Sequence, residues 1–163
     1  MNAASRKIQR IYLLLLFLQT LAASLIWGIN TLFLLDAGLT NTQAFSANAF
    51  FTAGQVIFEV PTGVVADTRG RRISYLLGTI TLAVSTVLYL VMWRTSGPFW
   101  GWALTSMFLG LGFTFFSGAV QAWLVDALTH TGYFRQGAQL ESVLARGEIV
   151  EGVAMLSGSV AGG

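Results

Sequence analysis

The 163-residue chain has no cysteine. That excludes disulfides, thiol chemistry and structural zinc held through cysteine. Histidine is almost as scarce: His130 is the one imidazole, and it reads as a solvated loop residue rather than a ligand. Proline occurs twice, at Pro61 and Pro98. The shortage of charge says most. Only 10% of residues are Asp, Glu, Lys or Arg, against about 25% in an average soluble domain. The net charge of +2 is small, and its basic residues are spread over short connecting stretches. Nucleic-acid binding, which needs a basic face, is therefore not expected. No nucleophile–base pair or metal-ligand cluster is apparent, so neither an enzyme nor a cofactor is expected.

What the chain has instead is apolar length. Mean hydropathy is +0.69, 55% of residues are hydrophobic, and the gaps between charges are membrane-sized. The fold class is all-α, a polytopic helical membrane protein. Arg6, Lys7 and Arg10 precede the first apolar run. A basic start before Leu13–Leu18 fits a secretory leader cleaved near Ala22-Ala23-Ser24, but the run continues through Trp27 to Leu35. About 25 residues at a 1.5 Å rise cross a hydrocarbon core of ~30 Å with some tilt. The first helix is therefore read over 11–35. Thr42 is read as the N-cap of a second helix over 43–66, interrupted by Glu59 and Pro61. A charged loop over 67–72 follows, then a third helix over 73–93 and a fourth over 99–125. After a polar loop over 126–140, a fifth helix is read over about 145–163. Its apolar part, from Ile149 onward, is too short to span, so the chain reads as a fragment of a longer protein. By itself it is expected not to move solute.

Arg6, Lys7, Arg10, Arg69, Arg71, Arg72, Arg135 and Arg146 all fall on one side of these spans, and Arg94 alone on the other. The positive-inside rule puts the amino terminus and the 67–72 loop in the cytoplasm, with the lipid bilayer of the cell's inner (plasma) membrane as the environment. Trp93, Trp100 and Trp102 are expected as an outer aromatic belt, and Tyr12, Tyr75 and Trp123 as an inner one.

Polar residues inside the spans form stripes. The second helix carries Asn48, Thr52, Gln55 and Glu59 at i, i+4, i+7 and i+11, on one face. The fourth carries Gly110, Thr114, Ser117 and Gln121 at the same spacing, and the first Gln19, Ala23, Trp27 and Asn30. One reading is a hydrated cavity lined by Trp27, Asn30, Asn48, Gln55 and Gln121. The other is hydrogen-bonded glue between helices. Glu59 is the least glue-like and is the proton-coupling candidate; its alternative is a structural carboxylate. Glu148 and Glu151, at i, i+3, fit cation binding or a hydrated helix end.

The string Gly63-Val64-Val65-Ala66-Asp67-Thr68-Arg69-Gly70-Arg71-Arg72 joins the second and third spans. Asp67 sits at a negative helix end and Arg71 and Arg72 at a positive one, both locally unfavourable. Asp67 therefore needs a cationic or amide partner. A cluster of Asp67, Arg71, Arg72 and Asp126 is expected, with Gly63 and Gly70 allowing close approach and a tight turn.

This string resembles the loop motif Gly-x-Leu-Ala-Asp-Arg-x-Gly-Arg-Lys of the major facilitator superfamily, with Val65 and Thr68 departing from it. The resemblance covers the whole chain, as part of the amino-terminal six-helix half of that fold. It implies secondary active transport by alternating access, with a missing carboxyl-terminal part of the transporter as partner. It also implies that Asp67 docks against the second half and that Arg71 relays to Asp126. Phe58–Gly63 and Ser117–Asp126 are similar to bacterial drug or solute exporters. Gly158–Gly163 is similar to the helix-five motif of drug–proton antiporters, with Ser159 in place of proline. The expected solute is small, organic and amphipathic, and protons are the candidate coupling ion. No basic residue lies in the first, second or fourth span to bind a strongly anionic one. A non-transporting scaffold or sensor on the same fold, or a non-functional fragment, is the alternative.

Overall fold

A computed structural model describes residues 3–116, 119–134 and 139–162. Most of those residues are helical: α1 (Ala3–Trp27), α2 (Asn30–Asp36), α3 (Asn41–Arg69), α4 (Arg71–Arg94), α5 (Phe99–Thr114), α6 (Ala119–His130) and α7 (Glu141–Gly162). Four stretches are long and apolar enough to cross a membrane: Ala3–Asp36, Asn41–Arg69, Arg71–Arg94 and Phe99–His130. α7 has the length, 22 residues, but Arg146, Glu148 and Glu151 interrupt its apolar character.

The boundaries differ from the sequence reading at several points. The first helix starts at Ala3 rather than residue 11, because the basic residues are themselves good helix formers. It is broken at Gly28-Ile29, where Ile29 N–H bonds to Ile26 O in a turn. Thr40, not Thr42, is the N-cap of α3. Its hydroxyl accepts from Gln43 N, and the Gln43 side chain accepts from Thr40 N, a reciprocal capping box. The 67–72 loop shrinks to one residue: α3 runs to Arg69 and α4 begins at Arg71. The fourth helix ends as α5 at Thr114 and resumes as α6 at Ala119, and Ser117 and Gly118 lie outside the described residues. His130 ends α6 instead of lying in a loop.

The chain divides into two compact units, Thr31–Gln121 and Met1–Asn30 with Ala122–Gly163. In the first, α5 packs against both α3 and α4. Small residues make both seams. A Cβ built on Gly110 would meet the Phe51 carbonyl oxygen and lie 3.0 Å from Gln55 N. One built on Gly54 would meet Met107 O and lie 3.0 Å from the Met107 carbonyl carbon. The α3 and α5 backbones thus touch directly, which only glycine permits. Phe51 and Phe113 close that seam edge to face, 5.7 Å apart, an arrangement adding about 0.5–1.5 kcal/mol beyond its area. On the other side of α5, Ser74 donates to Phe115 O at 2.9 Å, and Tyr89 and Ser106 share a buried 2.7 Å hydrogen bond. Leu34, Leu39, Ala44, Ala47, Tyr89 and Trp102 form the apolar core at the far end from Gly70. Trp102 is fully buried, with Phe33 and Tyr89 rings at 6.0 and 5.5 Å. It is a core residue and not a member of an aromatic belt, whereas Trp93 and Trp100 are exposed.

In the second unit, α1 and α7 run parallel. The Gly147 position faces Tyr12 and Leu16, Gly158 faces Leu21 and Ser24, and Gly162 faces Leu25, so both chains advance together. The Ser24 hydroxyl lies 3.0 Å from Leu21 O and 3.2 Å from Ala154 O, tying the helices at mid-seam. Tyr12 is buried in this seam rather than placed in a belt.

Candidate functional site

The buried face of α3 is Ala44, Ala47, Gly54, Thr62 and Ala66. At 3.6 residues per turn, Asn48, Thr52, Gln55 and Glu59 form a line beside that face, between it and the exposed apolar residues Val56, Val60 and Val64. Thr52 and Glu59 are exposed, and Asn48 and Gln55 are half-buried. The line is tied to its surroundings at its upper end: Asn48 Nδ2 donates to Thr31 Oγ1 at 3.3 Å, and Thr52 Oγ1 donates to Asn48 O at 3.4 Å. Pro61 does not break α3. Next to it, Thr62 Oγ1 donates to Phe58 O at 2.8 Å and lies 3.3 Å from Thr114 O.

The stripe read on the fourth helix divides. Gly110 and Thr114 are buried, Gly110 against the α3 backbone and Thr114 with its carbonyl facing Thr62. They are packing residues, and the reason is size: a small side chain lets the backbones touch. Gln121 is exposed, and Ser117 lies outside the described residues. Trp27 is 47% exposed and Asn30 half-buried. Both belong to the α1–α7 unit, as does Asp126, which is exposed on α6.

The charged joint is compact. Gly70 has φ +93° and ψ 151°, a backbone region open to glycine and strained for other residues. This single residue turns α3 into α4. It brings Arg71 Nη1 to Asp67 Oδ1 at 2.5 Å, an i,i+4 ion pair across the joint. Each charge is badly placed for its own helix dipole, and each is the other's partner. The Asp67 side chain is 68% exposed, so the pair contributes at most about 0–1 kcal/mol to stability. Arg72 is exposed, and nothing would meet a Cβ on Gly63 within 4 Å.

Sequence reasoning missed the α4 seam. Ser74, Gly78, Ser85 and Tyr89 are the buried residues of α4. Their spacing of four, seven and four is a one-face signal that a search for strongly polar stripes passes over.

The model of the Major Facilitator Superfamily matches residues 12–163. The chain belongs to the major facilitator superfamily. It is thus a multi-pass, all-α membrane protein of a transporter family, and family members are transporters rather than enzymes. No curated protein and no solved structure matches the chain.

Proposed function

We propose that this superfamily protein carries out secondary active transport of a small, amphipathic organic solute by alternating access. The observation that supports it most is the polar line on α3. Asn48, Thr52, Gln55 and Glu59 lie beside the α3–α5 seam and outside it, with two of the four exposed. Asn48 ties α3 to Thr31 of α2, while Gly110 and Thr114 fill the α3–α5 seam itself. Gln121, exposed in the same unit, is a further solute-contact residue in this reading. Glu59 is its proton-coupling carboxylate, efflux its direction, and the plasma membrane with a cytoplasmic amino terminus its setting. The Asp67–Arg71 pair at Gly70 would act as a conformational latch, with Arg72 as its charged neighbour and the carboxyl-terminal half as its docking partner. Absence of a basic residue from the four spans between their flanks disfavours strongly anionic solutes. The test uses everted vesicles carrying the complete gene product and an amphipathic fluorescent dye. Asn48→Ala with Gln55→Ala is expected to lower dye flux at least tenfold, and Glu59→Gln to remove its dependence on a proton gradient. Unchanged flux in the double variant would remove Asn48 and Gln55 from the solute path, and no dye flux from the unsubstituted protein would leave the scaffold reading standing.

A further inference from the structure

The second unit holds a carboxylate and an acceptor that the transport reading does not use. α1 and α7 run parallel, with Gly147 beside Tyr12 and Leu16 and with Ala154 and Gly158 beside Ser24. Interpolating along that register brings Glu151 level with Gln19. At 3.6 residues per turn, Tyr12 and Gln19 fall on one flank of the α1 side of the seam, and Glu148 and Glu151 fall on the same flank of the α7 side. Both carboxylates lie close enough to act electrostatically on the Tyr12 hydroxyl. Glu151 is half-buried. The side-chain oxygen of Gln19 is buried and meets no hydrogen-bond donor among the described residues.

A buried acceptor without a donor costs about 1–3 kcal/mol. A carboxylate withdrawn from water without a cation is also costly. α1 has no basic residue between Arg10 and Trp27, and α7 has none after Arg146. The charged and titratable groups these two helices present near Glu151 are Tyr12 and Glu148, and the second is of like charge. One added proton answers both deficits: the neutral carboxyl group gains an O–H, and that O–H can donate to Gln19 Oε1. We infer that Glu151 is a proton-binding site whose protonated form is held by Gln19 across the α1–α7 seam. Its position in α7, about one turn before the Ala154 carbonyl that Ser24 ties to α1, makes proton release a change in the packing of that seam.

This inference does not depend on the transport proposal, and its readout contains no transport step. The protein in lipid is titrated with pH under infrared difference spectroscopy, reading the C=O stretch of protonated carboxyl groups. The expected result is a titrating band that E151Q removes and E148Q keeps. Q19L, which retains Glu151, is expected to change the band's frequency and to lower its midpoint by about one pH unit, a tenfold loss of proton affinity. Circular dichroism checks that each variant is helical. A band that survives in E151Q overturns the assignment. A Q19L spectrum identical to wild type overturns the Gln19 partnership, and this variant decides the matter even where E151Q fails to fold.

Discussion

Two glycines of the Thr31–Gln121 unit are expected to respond to the same substitution with opposite sign. Alanine favours a helix over glycine by about 1 kcal/mol in either position. At Gly63 nothing lies within 4 Å of the added Cβ, so Gly63→Ala should be neutral or stabilise by up to about 1 kcal/mol. At Gly110 the added Cβ meets Phe51 O, with Gln55 N at 3.0 Å and the Gly54 carbonyl carbon at 3.3 Å. All three are α3 backbone atoms, so no rotamer change relieves the clash. α3 and α5 must move apart by about 1 Å, which forfeits a quarter to a half of the dispersion energy of the contacts along the seam. Overpacking of this kind costs about 1–3 kcal/mol. Less the propensity gain, Gly110→Ala should destabilise by about 0–2 kcal/mol. Since the gain is common to both sites, it should sit about 1–3 kcal/mol below Gly63→Ala. The assay is unfolding in mixed micelles by titration with a denaturing detergent, followed by tryptophan fluorescence; Trp102 is buried in this unit. Equal stability of the two variants, or a more stable Gly110→Ala, would refute direct backbone contact between α3 and α5.

The other expectations concern the joint and the topology. Gly70→Ala forces an L residue to φ +93° and should cost about 1–3 kcal/mol in the same unfolding titration. Asp67→Asn removes only an exposed pair and should cost below about 1 kcal/mol; a loss as large as that of Gly70→Ala would mean the pair holds the joint together. Because the chain has no cysteine, single cysteines report topology without background. Thr68→Cys should label with a membrane-impermeant maleimide only from the cytoplasmic side, and Ser96→Cys only from the opposite side. Labelling of both from one side would overturn the topology proposed from the arginine distribution.

How much of this was legible in the sequence depended on which force set each feature. Helix existence was plain, because apolar length and scarce charge dominate any membrane-spanning segment. The Asp67 problem was legible too, since two charges at unfavourable helix ends call for each other, and Arg71 supplies the partner. Boundaries were harder. Thr40 and Thr42 are equally good cap residues by type, and only the position of Gln43 three residues after Thr40 separates them. The collapse of a six-residue loop onto Gly70 alone was hidden because Asp67, Thr68, Arg69, Arg71 and Arg72 look like loop residues by polarity, yet all are compatible with helix. Trp102 looked like a belt tryptophan because its neighbours do. Its burial is a tertiary fact, fixed by Phe33 and Tyr89 from other helices.

The polar stripes show where spacing stops being informative. Gly110-Thr114 on the fourth helix and Asn48-Thr52-Gln55-Glu59 on the second share one period, and period alone gave them one role. Packing separates them by volume. A helix that must touch two neighbours spends its small residues on the contacts, and α5 does so on both sides, with Gly110 and Thr114 toward α3 and Ser106 and Gly112 toward α4. Little of α5 is then left to face water, and its stretch to Thr114 alternates small seam residues with large apolar ones. α3 has one close seam within its unit for most of its length, because its packing on α4 is slight beside its packing on α5. The polar line lies beside that seam, and the backbone contact at Gly54 and Gly110 does not draw on Gln55 or Glu59 side chains. Within this unit α3 thus keeps a second face outside its close seam, and α5 keeps little. That asymmetry, and not the shared spacing, is the reason to seek the solute site along α3.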